Sequence, residues 1–363
     1  MKKLIAISVV FALIAGVAFA VDLGGTVIGS ATLFQSDTGD DAKVTSSGTM
    51  NRIRIDGGGE AGDGVYGGYV RFGDGNYDGN AWWKPIDQFK LMVGGNGGDG
   101  FLAKEGVTGW MFYQTPCDTD VADNGNTWGG GYSNWPYIFR SAFYGGGKDG
   151  KDDVYLFITP VDMLAINLQI PFISEGGKET ADVFAKTIAQ LDLKLDFGNI
   201  ALTYRGDSGE GNDQPKVFAY FGGSFGDLAL DVGLGYQFAN EDDTANPVGI
   251  GFGLKYAADA FGVKFRGLVN LGGEDKNTNI MADVMPYFGL GDNLTAFVSV
   301  GVTMAMPDGG DSVLNWHFNP YIQVGEEWGA KFVGGLRVWS ANPLDGSDGV
   351  INWAVPVGVI VSF

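Results

Sequence analysis

Apolar and polar side chains alternate with a period of two along most of the chain. In residues 314–324 one set comprises Leu314, Trp316, Phe318, Pro320, Ile322 and Val324, and the interleaved set comprises Asn315, His317, Asn319, Tyr321 and Gln323. Successive side chains of a β-strand point to opposite faces, so this pattern predicts strands with one apolar and one polar face. Residues 351–363 repeat it, with bulky apolar residues up to Phe363 interleaved with mostly small or polar ones.

Short turns and long polar loops alternate between these segments, which predicts an up-and-down antiparallel meander. The tight turns fall near 197–199, 225–227, 258–260, 291–293 and 325–327, and the long acidic loops near 207–214, 239–246, 272–277, 306–312 and 341–349. Counting the strands gives eighteen, with sixteen as the alternative. They are expected near 24–34, 49–56, 64–72, 81–84, 88–93, 153–160, 163–172, 182–197, 200–206, 215–223, 228–238, 247–256, 261–271, 279–290, 294–304, 313–324, 328–339 and 350–363.

The first twenty residues have the three parts of a secretory signal. Met1-Lys2-Lys3 is a basic head, 4–17 is an apolar run, and Ala18-Phe19-Ala20 is a small-x-small cleavage site. Beyond this segment no apolar stretch reaches the roughly 18 residues of a membrane helix. The predicted fold of 21–363 is therefore all-β: one transmembrane, antiparallel, up-and-down β-barrel of 16–18 strands.

Composition excludes several classes of protein. Removal of Lys2 and Lys3 leaves 21 cationic side chains against 43 carboxylates, a formal net charge of −22, which argues against a nucleic-acid partner. Cys117 is the only cysteine, so no internal disulfide forms, and its own role is left open. No cofactor site is predicted. The match of Gly95, Gly97 and Gly100 to a dinucleotide fingerprint opens no helix and is attributed to the 61 glycines of the chain.

Ionisable side chains are unevenly divided between loops and strands. Most acids fall in loops, whereas cations fall on the polar faces of strands, where water inside the barrel would hydrate them. The predicted pore-lining residues are Arg52, Arg54, Arg71, Lys90, Lys186, Lys194, Arg205, Lys255, Lys264, Arg266, His317, Lys331 and Arg337. The expected lumen acids are Asp56, Asp192, Asp196, Asp231 and Asp283. Two interpretations of these cations are equally supported by the sequence. In one they only keep the lumen hydrated, and in the other they make the interior favourable for anions beneath an acidic rim.

Two further motifs are interpreted as structural and not as metal-binding or catalytic. Asp74, Asn76, Asp78 and Gly79 match the first half of a calcium loop, but Pro85 stands where the bidentate Glu belongs, so a surface loop is expected. His317 is the only histidine, and its polar neighbours favour a lumen wall over a catalytic or metal-binding role. No metal site and no catalytic residue is predicted.

Aromatic residues next to the short turns predict an interfacial girdle at one membrane surface. They are Phe197, Phe225, Phe261, Trp328 and Phe363.

A four-residue motif occurs twice, as Lys84-Pro85-Ile86-Asp87 and as Thr159-Pro160-Val161-Asp162, and it predicts the same turn at both sites.

The signal segment, the amphipathic strands and the terminal Phe363 resemble bacterial outer-membrane porins. The tetrad turns and glycine-rich acidic loops resemble spirochaete porin-type barrels more than the trimeric porins of enteric bacteria. The resemblance implies a passive outer-membrane channel for small polar solutes or ions. It also implies contact with outer-membrane lipid, and recognition of Phe363 by the barrel-insertion machinery. In that family a long early loop folds inward as a constriction, and 94–152 is the candidate here.

The sequence pattern also fits a second hypothesis. In it the protein is a structural or adhesive surface protein whose barrel anchors the acidic outer loops. The sequence leaves undecided whether copies form a homo-oligomer, and whether 94–152 constricts the pore. It favours a protein that is not an enzyme.

Overall fold

The computed structural model describes eleven stretches of the chain. They are 22–36, 44–73, 76–94, 153–171, 187–206, 215–238, 248–271, 278–306, 309–325, 330–341 and 349–362. The predicted signal 1–20, Phe363 and nearly all of 94–152, including Cys117, lie outside these stretches. Among the described residues, no helix has the length and apolar character needed to cross a bilayer.

Strands make up most of the described chain. They are β1 (Asp22–Ser36), β2 (Val44–Ala61), β3 (Tyr66–Gly73), β4 (Asn76–Ile86), β5 (Phe89–Gly94), β6 (Asp153–Val161), β7 (Leu164–Pro171), β8 (Ile188–Leu195), β9 (Gly198–Arg205), β10 (Lys216–Phe225), β11 (Leu228–Gln237), β12 (Val248–Ala257), β13 (Phe261–Leu271), β14 (Thr278–Gly291), β15 (Leu294–Met306), β16 (Val313–Gly325), β17a (Ala330–Gly335), β17b (Arg337–Ala341) and β18 (Val350–Ser362).

Each strand pairs antiparallel with the strands before and after it in the chain. The last strand pairs with the first, with Ser362 opposite Thr26 and Gly358 opposite Ser30. The sheet is therefore closed, and no described strand is left with an open edge. This confirms the predicted transmembrane antiparallel up-and-down β-barrel.

The strand count agrees with the upper predicted value. Segments β17a and β17b both lie between β16 and β18, so together they form one spanning strand and the described chain contains eighteen. The interruption is at Leu336, whose N–H donates to the carbonyl of Pro320 across the break (2.9 Å). The predicted strand 328–339 is thus present, but it is irregular in the middle.

Polarity is inverted relative to a water-soluble protein. Along β16, Leu314, Trp316 and Phe318 are exposed, whereas His317 and Asn319 are buried. Most exposed large apolar side chains of the other strands occupy the outward face in the same way. An apolar exterior and a polar interior are what a bilayer around a water-filled barrel requires.

The predicted girdle is present where the structure describes it. Phe197, Phe225 and Phe261 are 51%, 49% and 40% exposed, and each lies next to a short turn. Phe197 and Phe225 stack with ring centroids 6.4 Å apart, and Phe261 contacts Phe288 at 5.2 Å. Trp328 and Phe363 lie outside the described residues.

The two proline tetrads form the same structure, as predicted. In each hairpin the register shifts at the proline, and the strand then closes on a two-residue turn: Ile86 is opposite Phe89, and Val161 is opposite Leu164. Lys84 bonds Asp87 across the first turn (2.9 Å). The hydrogen bond from Lys84 and its positive charge hold the pKa of the Asp87 carboxyl below its usual range.

Three predicted strands differ in length from the observed ones. The strand expected at 49–56 is the eighteen-residue β2, and the one expected at 81–84 is the eleven-residue β4, so Asn76 and Gly79 belong to a strand and not to the surface loop expected there. In the run expected at 182–197, residues 182–186 lie outside the described stretches, β8 ends at Leu195, and Asp196 and Phe197 form the turn after it. Alternation of side chains therefore does not mark where strand pairing begins and ends.

Val232, at the middle of β11, tests the membrane orientation because its side chain is 40% exposed on the apolar face. The substitution Val232→Arg should lower the free energy of unfolding by about 2–4 kcal/mol, the depth-dependent penalty for a cation facing lipid near mid-bilayer. The measurement is urea unfolding in lipid vesicles. Val232→Ala is the control and should lose markedly less. Equal stability of the two variants would contradict the orientation.

Candidate functional site

The inner wall of the barrel carries buried polar side chains on nine of the eighteen described strands. Those below 6% exposed are Asp153, Asn167, Gln169, Gln190, Asp192, Thr203, Asp283, Ser299, His317, Asn319, Arg337, Ser340 and Asn352. Burying polar groups without partners is unfavourable, so their arrangement in hydrogen-bonded clusters is what makes this wall stable. This inner wall is the candidate functional surface.

The structure places the predicted pore-lining residues in three groups. Side chains are described for Arg71, Lys90, Lys194, Lys255, Lys264, His317 and Arg337. For Arg52, Arg54, Arg205, Arg266 and Lys331 the structure describes the strand position alone, and Lys186 lies outside the described residues.

Arg71 is part of an ionic cluster on β2 and β3. Its Nε lies 2.8 Å from Oδ1 of Asp56, which is directly opposite it in the register. The hydroxyl of Tyr69 donates to the same carboxylate oxygen (2.7 Å), and the Arg71 guanidinium lies 5.2 Å from the Tyr69 ring centroid. Because Arg71 forms an ion pair with Asp56, its positive charge in the lumen is partly compensated.

Three other inner-wall cations lie against aromatic rings. The Lys90 ammonium is 4.8 Å from the Trp82 centroid and 5.6 Å from that of Phe157. Arg337, only 1% exposed, lies 4.8 Å from the Trp339 ring. The Lys264 ammonium is 6.0 Å from the Tyr287 centroid. An aromatic face attracts a cation, so these contacts hold the three side chains against the wall.

Aromatic rings on this wall lie over glycines of the neighbouring strand. A Cβ added at Gly67 would collide with the Trp82 ring, and one at Gly262 would collide with the Tyr287 ring. Both pairs are directly opposite in the register. The glycines therefore let large rings lie close to the wall, and this partly explains the glycine-rich composition.

Buried carboxylates on β6 to β9 are bound by amide donors. Asp192, 1% exposed, accepts hydrogen bonds from Asn167 (2.6 Å) and Gln190 (2.7 Å), and Thr203 donates to Gln190 (2.9 Å). Charge-assisted bonds of this kind stabilise an ionised carboxylate.

Asp153 is the second such carboxylate, and the expected set of lumen acids omits it. It begins β6, is buried, and accepts a hydrogen bond from Gln169. The signal for its position was available, because it continues the two-residue alternation of Tyr155 and Phe157. Asp196, expected on the lumen wall, instead lies exposed in the turn after β8.

His317 lies in a cluster that spans three strands. Its Nε2 is 3.2 Å from the Ser299 hydroxyl and 3.6 Å from Oδ1 of Asp283. Asp283 and His317 flank Gly301 in the register, and they meet over that glycine because it has no side chain. In a hydrolase triad the serine and the carboxylate contact different ring nitrogens, whereas here both lie near Nε2. The geometry is that of a wall cluster.

Most lysines on the described strands lie nearer the turn end than the arginines do. Six of the seven, Lys84, Lys90, Lys194, Lys255, Lys264 and Lys331, lie within three residues of that end, and the seventh, Lys216, lies at the loop end of β10. Arg71 and Arg266 are five residues from that end of β3 and β13, and Arg205 is seven from that end of β9. This gradient was not evident in the sequence, because it depends on knowing which end of each strand carries the turn.

Comparison with solved structures places the fold among outer-membrane β-barrels. The outer membrane channel DcaP of Acinetobacter baumannii is similar over 94% of this chain and 97% of its own, with 12% identity and a TM-score of 0.51. OccK11 of Pseudomonas aeruginosa is similar over 94% of this chain and 96% of its own, with 11% identity and a TM-score of 0.53. OmpT of Vibrio cholerae is similar over 96% and 98%, with 12% identity and a TM-score of 0.50.

The amino-acid sequence alone shows no such similarity. No protein-family model matches the chain, and no curated protein sequence matches it. The structural similarity shows the fold, which is the one expected for a porin. The resemblance to spirochaete barrels stays a prediction.

Gly301 tests the cluster around His317. A methyl group at this position would collide with Asp283 and His317, so Gly301→Ala should lower the free energy of unfolding by about 1–3 kcal/mol through overpacking. Urea unfolding in vesicles gives the value. Gly291→Ala, where an added Cβ meets no atom within 4 Å, is the matched control and should be nearly neutral. A neutral Gly301→Ala would show that the two side chains do not pack over this glycine.

Proposed function

We propose that the protein is a passive, water-filled diffusion channel of the bacterial outer membrane that favours small anionic solutes. The observation that carries this proposal is the closed barrel of eighteen strands with an apolar exterior and an ionisable inner wall. At this strand number the lumen is too wide to be filled by wall side chains alone. A barrel of that kind conducts unless another part of the chain fills it.

The structural similarities support the same proposal. DcaP is described as an outer membrane channel, and its barrel superposes on nearly all of this chain. Similarity at this level of identity carries the fold and not the solute. The choice of solute must therefore be argued from the residues of this wall.

The preference for anions is proposed from the balance of charges on the wall. Asp56 is paired with Arg71, whereas the Lys90 ammonium lies over the rings of Trp82 and Phe157. Asp153 and Asp192 are buried and accept hydrogen bonds from amides, which reduces their influence on passing ions. Fixed positive charge facing a narrow aqueous path raises the local concentration of anions.

Planar-bilayer recording of the refolded full-length chain tests both parts of the proposal. The expected result is a reproducible ohmic conductance and, across a potassium chloride gradient, a reversal potential displaced toward the chloride equilibrium potential. Lys90→Gln should reduce that displacement, because it removes one positive charge from the inner wall.

The two outcomes that contradict the proposal are distinct. Absence of any channel from folded protein would reject the pore and leave the structural or adhesive anchor as the remaining hypothesis. A conducting channel with a reversal potential displaced toward the potassium value would keep the pore and reject the anion preference.

A further inference from the structure

Two aromatic rings from neighbouring strands converge on the side chain of Lys90. Lys90 is the second residue of β5, and Phe157 of β6 is directly opposite it in the register. Trp82 belongs to β4, the strand on the other side of β5. The Lys90 ammonium lies 4.8 Å from the centroid of Trp82 and 5.6 Å from that of Phe157. The ammonium group therefore has a ring contact from each of the two strands that flank it.

Both rings pack against a buried cluster of the inner wall. The cluster consists of Met92, Tyr155 and Ile188, and Trp82 and Phe157 lie against it. Phe157 also stacks nearly parallel with Tyr155, with ring centroids 6.3 Å apart. Side chains in a close-packed cluster have few alternative positions, so the two rings are held in place.

One carboxylate of the inner wall acts electrostatically on Lys90. The negative charge of Glu60 attracts the ammonium group, and the positive charge of Lys84 repels it. Lys84 is itself bonded to Asp87 in the turn after β4. Glu60 and Lys90 nevertheless form no ion pair with each other in the part of the chain that the structure describes.

The Trp82 ring lies over the strand that separates these two charges. Glu60 of β2 is directly opposite Gly67 of β3, and Gly67 is directly opposite Trp82 of β4. A Cβ added at Gly67 would collide with the indole, so the ring covers that position. The indole therefore stands between Glu60 and the strand that carries Lys90.

We propose that Trp82 and Phe157 are positioning residues for the ion selectivity of the channel, because they hold the Lys90 ammonium and keep it from pairing with Glu60. The inference rests on the proposed channel function. A carboxylate in contact with an ammonium group cancels most of its field, whereas a ring attracts the cation through its quadrupole and brings no net charge. Loss of the rings lowers the preference for anions, although the formal charge of the wall stays the same.

Reversal potentials of the refolded full-length channel across a potassium chloride gradient test this inference. The double variant Trp82→Leu with Phe157→Leu should lower the chloride-to-potassium permeability ratio about twofold, the factor that one partly exposed cation–ring contact controls in an equilibrium. Lys90→Gln should lower the ratio by at least as much. Trp82→Phe should keep most of the preference, because a ring remains beside the ammonium.

Glu60→Gln distinguishes this mechanism from a general disturbance of the wall. In the unmodified channel the substitution should raise the permeability ratio only slightly. In the variant without the two rings it should restore the ratio to about the unmodified value, because the ammonium no longer has a carboxylate to pair with. Such unequal effects in the two backgrounds measure the coupling between the rings and Glu60.

Phe297→Leu is the matched control. Phe297 is also an inner-wall ring in an aromatic stack, 4.7 Å from the Tyr321 centroid, but no cation contacts it in the described stretches. Its loss should leave the permeability ratio unchanged. Circular dichroism of each variant in vesicles checks that the barrel has formed.

The outcomes separate this inference from the channel itself. An unchanged ratio in the variant without the two rings, or an equal effect of Glu60→Gln in both backgrounds, would overturn the positioning role and leave the pore intact. An unmodified channel that prefers potassium would contradict the proposed anion preference, while a further fall in the ratio on loss of the rings would still support their role. A folded barrel without current would reject the channel function on which the inference rests.

Discussion

Hydrogen bonding of the backbone inside a bilayer is the constraint on which the rest of this structure depends. Lipid offers no donor or acceptor, so every strand must be paired on both sides. The chain meets this requirement by pairing each strand with its neighbours in sequence and the last strand with the first. Once the sheet is closed, each residue faces either lipid or the lumen, and the two-residue alternation of the sequence follows.

Closure also places the ionisable residues on a concave surface, where they must satisfy one another. Asp192 does so through Asn167 of the neighbouring strand and Gln190 of its own strand, and Asp56 does so through Arg71 and Tyr69. Glycines allow some of these side chains to come close together. Gly301, for example, lies between Asp283 and His317 and has no side chain to separate them. The abundance of glycine thus has a structural use on the wall as well as in turns.

Much of the fold could be predicted from the sequence because its main signal is local. Alternation and turn spacing are properties of a few consecutive residues, and they were sufficient for the eighteen strands and for the two proline turns. The ends of β4 and β8 were missed because alternation does not report where pairing begins. The register that places Lys255 opposite Lys264 depends on pairing between strands, which alternation does not report. Asp153 is absent from the expected lumen acids because it adjoins a long segment without alternation.

The seam between β1 and β18 has a consequence for how the chain folds. Across it the Ser36 hydroxyl donates to the side-chain oxygen of Asn352, a residue 316 positions later in the chain. Contacts between such distant residues form slowly, because the loss of chain entropy precedes any gain from the contact. The first strand therefore keeps one edge unpaired, and prone to aggregation, until the last strand is available. Protection of that edge during the delay is a requirement that the closed barrel imposes on the cell.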